Sequence, residues 1–260
     1  MKHSKKYIIL FFSLVVLLIG CDDKSLSPAG PKDPDFSSTP MENEEAELAA
    51  LHLSGKLIAP LPLYEQIKEE LELIRETWSD SIVHVNLTFV PYWNVSNIRI
   101  YVDSSTYDSM NLNQYHHWDS LNDYYRIDTI TFWQYSFVDQ QWTILHFKGR
   151  LNPLRMVDIY AGLPGFSIVT SSITPTIGGK PLLVLLNDGH TIKYFFSYAY
   201  GDCPSGCLNS EIYYFTIDKG EPIYHGLWKR TIFEPYPTPP KWADTATEAF
   251  KQYIATNYWP

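Results

Sequence analysis

The sequence predicts an α+β fold: a ferredoxin-like βαββαβ region, then a C-terminal antiparallel β meander and a terminal helix. Three observations support this fold class. Apolar residues recur with a helical period near residue 70, strand-like and helix-like segments alternate between residues 83 and 173, and aromatic and β-branched residues fill long runs after residue 190. From these patterns we divide the 260 residues into five segments, 1–20, 21–47, 48–80, 81–175 and 176–260.

The first segment, 1–20, has the composition of a signal peptide. Three lysines among the first six residues precede an apolar run of about 14 residues, whereas a membrane-spanning helix needs roughly 20. The stretch "LLIGC", which ends at Cys21, resembles the processing box of bacterial lipoproteins. The resemblance implies that Cys21 carries lipid and anchors the mature chain in the bacterial cell envelope. The alternative is an ordinary cleaved signal peptide that a cysteine happens to follow.

The second segment, 21–47, is rich in Asp, Glu, Ser and Pro. Such a composition buries too little apolar surface to order a chain, so we expect a flexible acidic stalk. The whole chain has a net charge of −9, which becomes −12 without the three lysines of the signal peptide, and the mature part has no cluster of basic residues. Nucleic acid and electrostatic docking on anionic lipid are therefore not expected as partners.

The third segment, 48–80, is predicted to be helical. Its apolar residues recur at steps of three and four, which places them on one face of a helix: Leu63, Ile67, Leu71, Ile74 and Trp78. The opposite face carries side chains that we expect to be solvated: Glu65, Lys68, Glu69, Glu72 and Arg75.

The fourth segment, 81–175, reads as the βαββαβ succession. Strands are expected in "SIVHVNLTFVPYW" and "NIRIYVD", in "RIDTITFWQYSF" and "QWTILHFKG", and in "FSIVTSSI". Helices are expected in the polar stretch before Tyr125 and in "LNPLRMVDIYAGLPG".

Part of this segment resembles the propeptide or inhibitor module of subtilisin-like proteases. The resemblance lies in "SLNDYYRIDTI", "TILHFKG" and "IYAGLPGFSIVTSS", taken in that order. It implies a ferredoxin-like fold and inhibition of a protease by the tail after the last strand. No protease domain and no recognisable cleavage junction follow Ser172, so inhibition is kept as an alternative function.

The fifth segment, 176–260, contains two strand-like runs, "TIKYFFSYAY" and "LNSEIYYFTID", on either side of Cys203 and Cys207. Pro204 and Gly206 suit a tight turn, and a cysteine pair in an exported chain most often forms a disulfide. We therefore predict a Cys203–Cys207 bridge. The wording "GDCPSGC" resembles an element of exported bacterial proteins, a resemblance that implies no activity.

Two other roles for the cysteine pair remain open. The thiolates could bind a metal with Asp202 and with His190 or His225, but no second cysteine cluster follows. A redox-active dithiol would need a thioredoxin-like βαβ context, which the flanking runs do not supply.

The rest of the fifth segment predicts a turn and two more elements. A turn at Lys219 and Gly220 leads into a further strand through Trp228. Thr245 and Glu248 have the spacing of a capping box and predict the start of the terminal helix.

No catalytic, cofactor or metal site is predicted. The chain has no G-x-S-x-G, H-E-x-x-H, P-loop or dinucleotide-binding motif. His116 and His117 point to different faces of any regular element and, with Asp119, are expected to be solvated.

The aromatic content, 15%, is the remaining functional signal. Aromatic rings stack on sugars or anchor protein interfaces, although most rings in a small sheet form cross-strand pairs. Five rings at expected loops or strand ends are the candidates for ligand binding: Trp93, Tyr115, Trp118, Trp133 and Trp142.

These observations predict a lipid-anchored, non-catalytic binding or interaction module of the bacterial cell envelope. Its expected partners are the membrane, through the anchor, and a protein or a glycan. A protease inhibitor, a glycan-binding lipoprotein that uses exposed aromatic side chains, and an enzyme of unfamiliar type are the alternatives.

Overall fold

The computed structural model describes residues 41–91, 93–135, 140–173, 181–201, 207–231 and 238–255, which belong to one compact unit. The predicted signal peptide, Cys21 and the first part of the predicted stalk lie outside these ranges. The described chain is an α+β fold with two four-stranded antiparallel sheets.

The first helix, α1 (Glu44–Ser54), begins inside the segment that we predicted as stalk. The Asn43 side chain caps it by accepting a hydrogen bond from the Ala46 N–H, and three glutamates in the first turn suit the positive end of the helix dipole. Gly55, at φ 57°, ends it in the left-handed conformation. The stalk prediction is therefore wrong for residues 44–47.

The second helix, α2 (Leu61–Trp78), confirms the predicted helical repeat. Its buried residues are Tyr64, Ile67, Leu71 and Ile74. Arg75 is not solvated as predicted, because it forms an ion pair with Glu45 of α1, with an Nη1 to Oε2 distance of 2.8 Å. After α2, Val83–Asn86 forms a short 3-10 helix where a strand was expected.

The first sheet confirms the βαββαβ succession. Its elements are β1 (Trp93–Val102), α3 (Ser104–Asn111), α4 (Asp119–Tyr125), β2 (Ile127–Tyr135), β3 (Gln140–Phe147), α5 (Pro153–Tyr160) and β4 (Phe166–Ile173). The strand order is β2-β3-β1-β4, with every neighbouring pair antiparallel, which is the ferredoxin-like arrangement. The polar stretch before β2 holds two short helices.

One face of the first sheet is covered by α3, α4 and α5. Residues at alternate positions of β1 and β3 enter a core with residues of these helices: Ile98, Ile100, Leu145, Phe147, Tyr107, Met110, Tyr125, Met156 and Tyr160. Because successive side chains of a strand point to opposite faces, the intervening residues of β1 and β3 lie on the other face.

The second sheet confirms the predicted meander and adds one strand to it. Its elements, in both sequence and spatial order, are β5 (Leu182–Asn187), β6 (Ile192–Tyr200), β7 (Asn209–Asp218) and β8 (Glu221–Thr231). Strand β5 was not predicted. The turn before β8 includes Lys219 and Gly220, as expected, and both residues have positive φ.

Helices lie against both faces of the second sheet. On one face Trp78 of α2 contacts the ring of Phe215, and on the other Trp242 contacts the rings of Phe195 and Tyr214. The terminal helix, α6 (Ala243–Ala255), buries Ala246, Ala249 and Tyr253 against the same core.

The terminal helix starts earlier than the sequence predicted. It begins at Ala243, where the Ala246 N–H donates to the Trp242 carbonyl, so Thr245 lies within the first turn. Thr245 is therefore not the capping residue, and the capping-box prediction is wrong.

Candidate functional site

The candidate site is the face of the first sheet that α3, α4 and α5 do not cover, which we call the outer face. Strand register arranges its side chains in three rows that run across the strands. The first row is Trp133, Trp142, Tyr101 and Ile168; the second is Thr131, Ile144, Arg99 and Thr170; the third is Thr129, His146 and Asn97. None of these side chains belongs to either hydrophobic core of the described residues.

The first row is aromatic across three neighbouring strands. Trp133 of β2 pairs with Trp142 of β3, which in turn pairs with Tyr101 of β1. The rings of Tyr101 and Trp142 are 5.9 Å apart between centroids. Trp133 is 48% exposed and Ile168, at the other end of the row, is 46% exposed. Trp142 and Tyr101, between them, are partly buried, so the row is an apolar strip that is most exposed at its two ends.

Polar groups line the next two rows. The Arg99 guanidinium lies 5.6 Å from the centre of the Trp142 ring, within the range of a cation–π interaction. The Thr131 hydroxyl and the His146 Nε2 atom are 3.3 Å apart. Hydrogen-bonding side chains thus stand directly beside the aromatic strip, as they do in sites that bind polar ligands.

No carboxylate belongs to the first two rows of the outer face, although the chain has 29 acidic residues against 20 Lys and Arg. The third row is bordered by one, because the Thr129 hydroxyl donates to the neighbouring Asp128 carboxylate at 3.1 Å. The local charge of the first two rows, which include Arg99, is therefore opposite in sign to that of the chain as a whole.

Two of the five predicted ligand-binding aromatic residues belong to this strip, Trp133 and Trp142. Two others are corrected by the structure: Tyr115 and Trp118 are only 8% and 5% exposed, because they pack against Phe166 in the core beneath the sheet. The Tyr115 hydroxyl donates to the Pro164 carbonyl, and burial raises its pKa to about 12. The side chain of Trp93 lies outside the described residues.

The predicted cysteine bridge lies partly outside the described residues. Cys203, Pro204 and Gly206 are not among them, whereas Cys207 is described and lies two residues before β7. The bridge stays a prediction. His190 lies before β6 and Cys207 after it, so nine strand residues, roughly 30 Å at about 3.3 Å per residue, separate them.

The histidines considered as ligands serve other contacts. His225 stacks on Tyr214 with ring centroids 4.3 Å apart, and burial lowers its pKa. His116 and Asp119 form an exposed pair, 2.8 Å between Nδ1 and Oδ2, in agreement with the predicted solvated reading. No group of three or more potential metal ligands occurs within the described ranges.

A second polar cluster, at the end of β7 nearest Cys207, was not predicted from the sequence. The Glu211 carboxylate accepts hydrogen bonds from Tyr213 and Lys229, at 2.8 and 2.9 Å, and lies 3.9 Å from His84. Burial acts to raise the pKa of Glu211, but the hydrogen bonds from Lys229 and Tyr213 bring it below its ordinary value. The cluster joins the 3-10 helix to the second sheet and satisfies its own charges.

A third polar region is a groove between α2 and the turn before β8. Its lining residues are Pro62, Glu65, Gln66, Glu69, Glu70, Leu73, Ile217 and Gly220. Glu70 accepts hydrogen bonds from Tyr194 and Gln66, at 2.6 and 2.8 Å, so it serves a structural role.

No helix among the described residues is long and apolar enough to cross a membrane. The outer face has to be judged from its own side chains, because no protein-family model, no curated protein and no solved structure matches the chain.

Proposed function

We propose that the chain is an exported, lipid-anchored and non-catalytic binding module that holds a carbohydrate against the outer face of its first sheet. The observation that carries the proposal is the aromatic strip of Trp133, Trp142 and Tyr101, in which Trp133 is exposed and the other two rings are partly exposed. Rings on neighbouring strands lie in one row of a sheet, so they offer an extended flat surface and not a single pocket.

The physical chemistry of such a strip suits sugar rings. Aromatic faces bury the apolar C–H faces of pyranoses, and Trp and Tyr favour positions with one apolar side and one wet side. The neighbouring Thr131, Arg99 and Thr170 provide hydroxyl and guanidinium groups for hydrogen bonds to sugar hydroxyls.

Export and anchoring rest on the sequence. The lipoprotein-like box at Cys21 and the acidic residues that follow support a tether that leaves the folded body free to reach polymers of the envelope. Since the predicted anchor and the outer face lie in different parts of the chain, each can be tested separately.

Protease inhibition, the alternative that the subtilisin-propeptide resemblance implies, has less support. That mechanism needs a tail after the last strand of the module. Here Leu182 begins β5 only nine residues after β4 ends, and β5 pairs into the second sheet of the same compact unit.

The test is binding of the mature protein, purified in detergent, to a panel of neutral and acidic soluble polysaccharides in affinity electrophoresis. We expect retardation by at least one polysaccharide and an interaction at least about fivefold weaker in Trp133→Ala, since loss of a stacked ring costs on the order of 1–3 kcal/mol. Tyr200→Ala is the matched control, because Tyr200 is 40% exposed but belongs to the second sheet. Equal retardation of Trp133→Ala and wild type would exclude the aromatic strip as the binding surface.

A further inference from the structure

Arg99 occupies the middle of the outer face without a carboxylate partner among the described residues. It lies on β1, a central strand, between the fully buried Ile98 and Ile100, and its guanidinium is held over the Trp142 ring. Its Nε atom is buried and has no hydrogen-bond partner within the described ranges. Leaving a buried donor without a partner is costly, so such a group calls for an explanation.

Other partly buried arginines of the chain are matched to carboxylates. Arg75 pairs with Glu45 at 2.8 Å, and Arg150 pairs with Glu47 at 3.1 Å and with Glu44 at 3.0 Å. In a chain with an excess of acidic residues, Arg99 instead stands in a row that contains no carboxylate, and the aromatic row beside it contains none either. The polar neighbour on the same strand, Asn97, likewise has a buried Oδ1 atom with no partner in the described part of the chain.

We propose that the outer face selects acidic polysaccharides, whose sugar rings carry carboxylate groups, and that Arg99 binds that carboxylate. This inference rests on the proposed carbohydrate-binding function and names its ligand class. We infer this ligand class from charge complementarity, because a carboxylated sugar supplies the anion that the protein itself does not place beside Arg99.

The geometry suits one ligand unit spanning the first two rows of the outer face. Stacking of a sugar ring on Trp142 or Trp133 brings its substituents over the second row, where Arg99 lies. A guanidinium binds a carboxylate through two parallel hydrogen bonds, and these are stronger when the pair is partly shielded from water. The overall negative charge of the chain repels polyanions at long range, so binding must depend on this local contact.

The test compares polygalacturonate with its methyl ester, which keeps the sugar backbone but removes the carboxylate charge. We expect the wild-type protein, mature and in detergent, to bind polygalacturonate at least tenfold more tightly than the ester at low salt. The preference should shrink when sodium chloride is raised, because salt screens an ion pair that remains partly exposed.

Variants assign the preference to Arg99. Arg99→Gln should lose most of the preference, about tenfold, while it still binds the methyl ester. Arg230→Gln is the matched control, because Arg230 also lies over a tryptophan ring, Trp228 at 5.4 Å, but on β8 of the second sheet. It should bind both polymers as the wild type does. The melting temperature of each variant shows whether it is folded.

The outcomes separate this inference from the proposed function. Equal binding of both polymers that is lost in Trp133→Ala would overturn acid selection and leave carbohydrate binding standing. An unchanged preference in folded Arg99→Gln would overturn the role of Arg99. Tighter binding of dextran sulfate than of polygalacturonate would show that the outer face prefers sulfate groups to carboxylates and would overturn the inference. Binding to no polysaccharide would overturn both proposals.

Discussion

His52 is a titratable side chain placed in an aromatic environment. It lies in the last turn of α1, with its ring 5.4 Å from that of Phe89 and 5.6 Å from that of Tyr253. These two rings come from the extended segment before β1 and from α6, so His52 fills a junction of three parts of the chain. Burial disfavours the charged imidazolium and lowers the pKa of His52 from 6.5 to about 4.

This lowered pKa predicts a loss of stability in mild acid. Between pH 6.5 and 4 the unfolded chain binds a proton at His52 and the folded chain does not, so the free energy of unfolding falls as the pH is lowered through this window. The expected loss is about 2–3 kcal/mol at pH 4, at about 1.4 kcal/mol for each pH unit of difference. Urea unfolding of the wild type and of His52→Leu at several pH values measures it.

The difference between the two unfolding profiles isolates His52 from the other titrating groups. We expect His52→Leu to be less sensitive to pH between 6.5 and 4, and His190→Gln, which alters an exposed histidine, to follow the wild type. Parallel profiles for the wild type and His52→Leu would contradict the assigned pKa.

At the scale of elements, the turn between α5 and β4 depends on one glycine. Gly165 has φ 78°, and a Cβ atom built on it would lie 2.1 Å from the Thr106 hydroxyl oxygen of α3. The turn is also fixed by the hydrogen bond from Tyr115 to Pro164. Gly165 therefore lets β4 leave the turn close against α3.

We predict that Gly165→Ala lowers the free energy of unfolding by about 2–4 kcal/mol, from left-handed strain and the clash with Thr106. Gly162→Ala, three residues earlier, is the matched control: its φ is not positive and no atom lies within 4 Å of an added Cβ. It should change stability by no more than about 0.5 kcal/mol. Chemical denaturation of both variants measures the difference, and equal stabilities would show that the turn relaxes without cost.

Elements with strong periodicity could be predicted from the sequence. The apolar repeat of α2 and the run that forms β4 were placed correctly, since each shows its own period or β-branched composition. The start of α1, residues 44–47, was assigned to the stalk because its first-turn glutamates resemble the acidic residues before it. Strand β5 was missed because "LLVLLN" is buried on both faces and does not alternate.

The candidate site could be predicted only in part, because it depends on how the strands pair and on which aromatic residues are buried. Trp133 and Trp142 were candidates, but their position in one row depends on strand register, which is a property of pairing and not of either strand alone. Tyr115 and Trp118 follow α3, in a stretch without a period that would show their burial. Arg99 had a usable signal, since in "NIRIYV" it alternates with apolar residues that face the core.

At the scale of the whole molecule, α1 contacts both halves of the described chain. Toward the second sheet, Glu45 accepts hydrogen bonds from Arg75 and from the Phe89 N–H. Toward the first sheet, Glu47 and Glu44 pair with Arg150, which lies between β3 and α5. Helix α1, which the sequence analysis assigned in part to the stalk, thus links the two halves, in addition to Val95 of β1 and Leu154 of α5, which pack against the core of the second sheet.

The ion pair at Arg150 predicts that the two halves lose stability together. Arg150→Met leaves Glu47, whose side chain is 9% exposed, buried without its cation, and should lower the free energy of unfolding by about 3 kcal/mol. Burial already raises the pKa of Glu47 despite Arg150, so the lone carboxylate will resist ionisation further. The double variant Glu47→Gln with Arg150→Met should recover much of this loss, because no charge is then left buried.

Hydrogen exchange followed by mass spectrometry can show whether Arg150→Met destabilises both sheets. If α1 couples the sheets, Arg150→Met should speed the exchange of the slowest amides of β1 and of β6 by the same factor. This would be an indirect effect, because Arg150 contacts neither strand in the described network of ion pairs and side-chain hydrogen bonds. Lys229→Met is the control, because Lys229 pairs with Glu211 but is more exposed than Arg150. It should speed amide exchange in both strands much less. Faster exchange in β1 alone would mean that the sheets unfold independently, and the coupling through α1 would then be wrong.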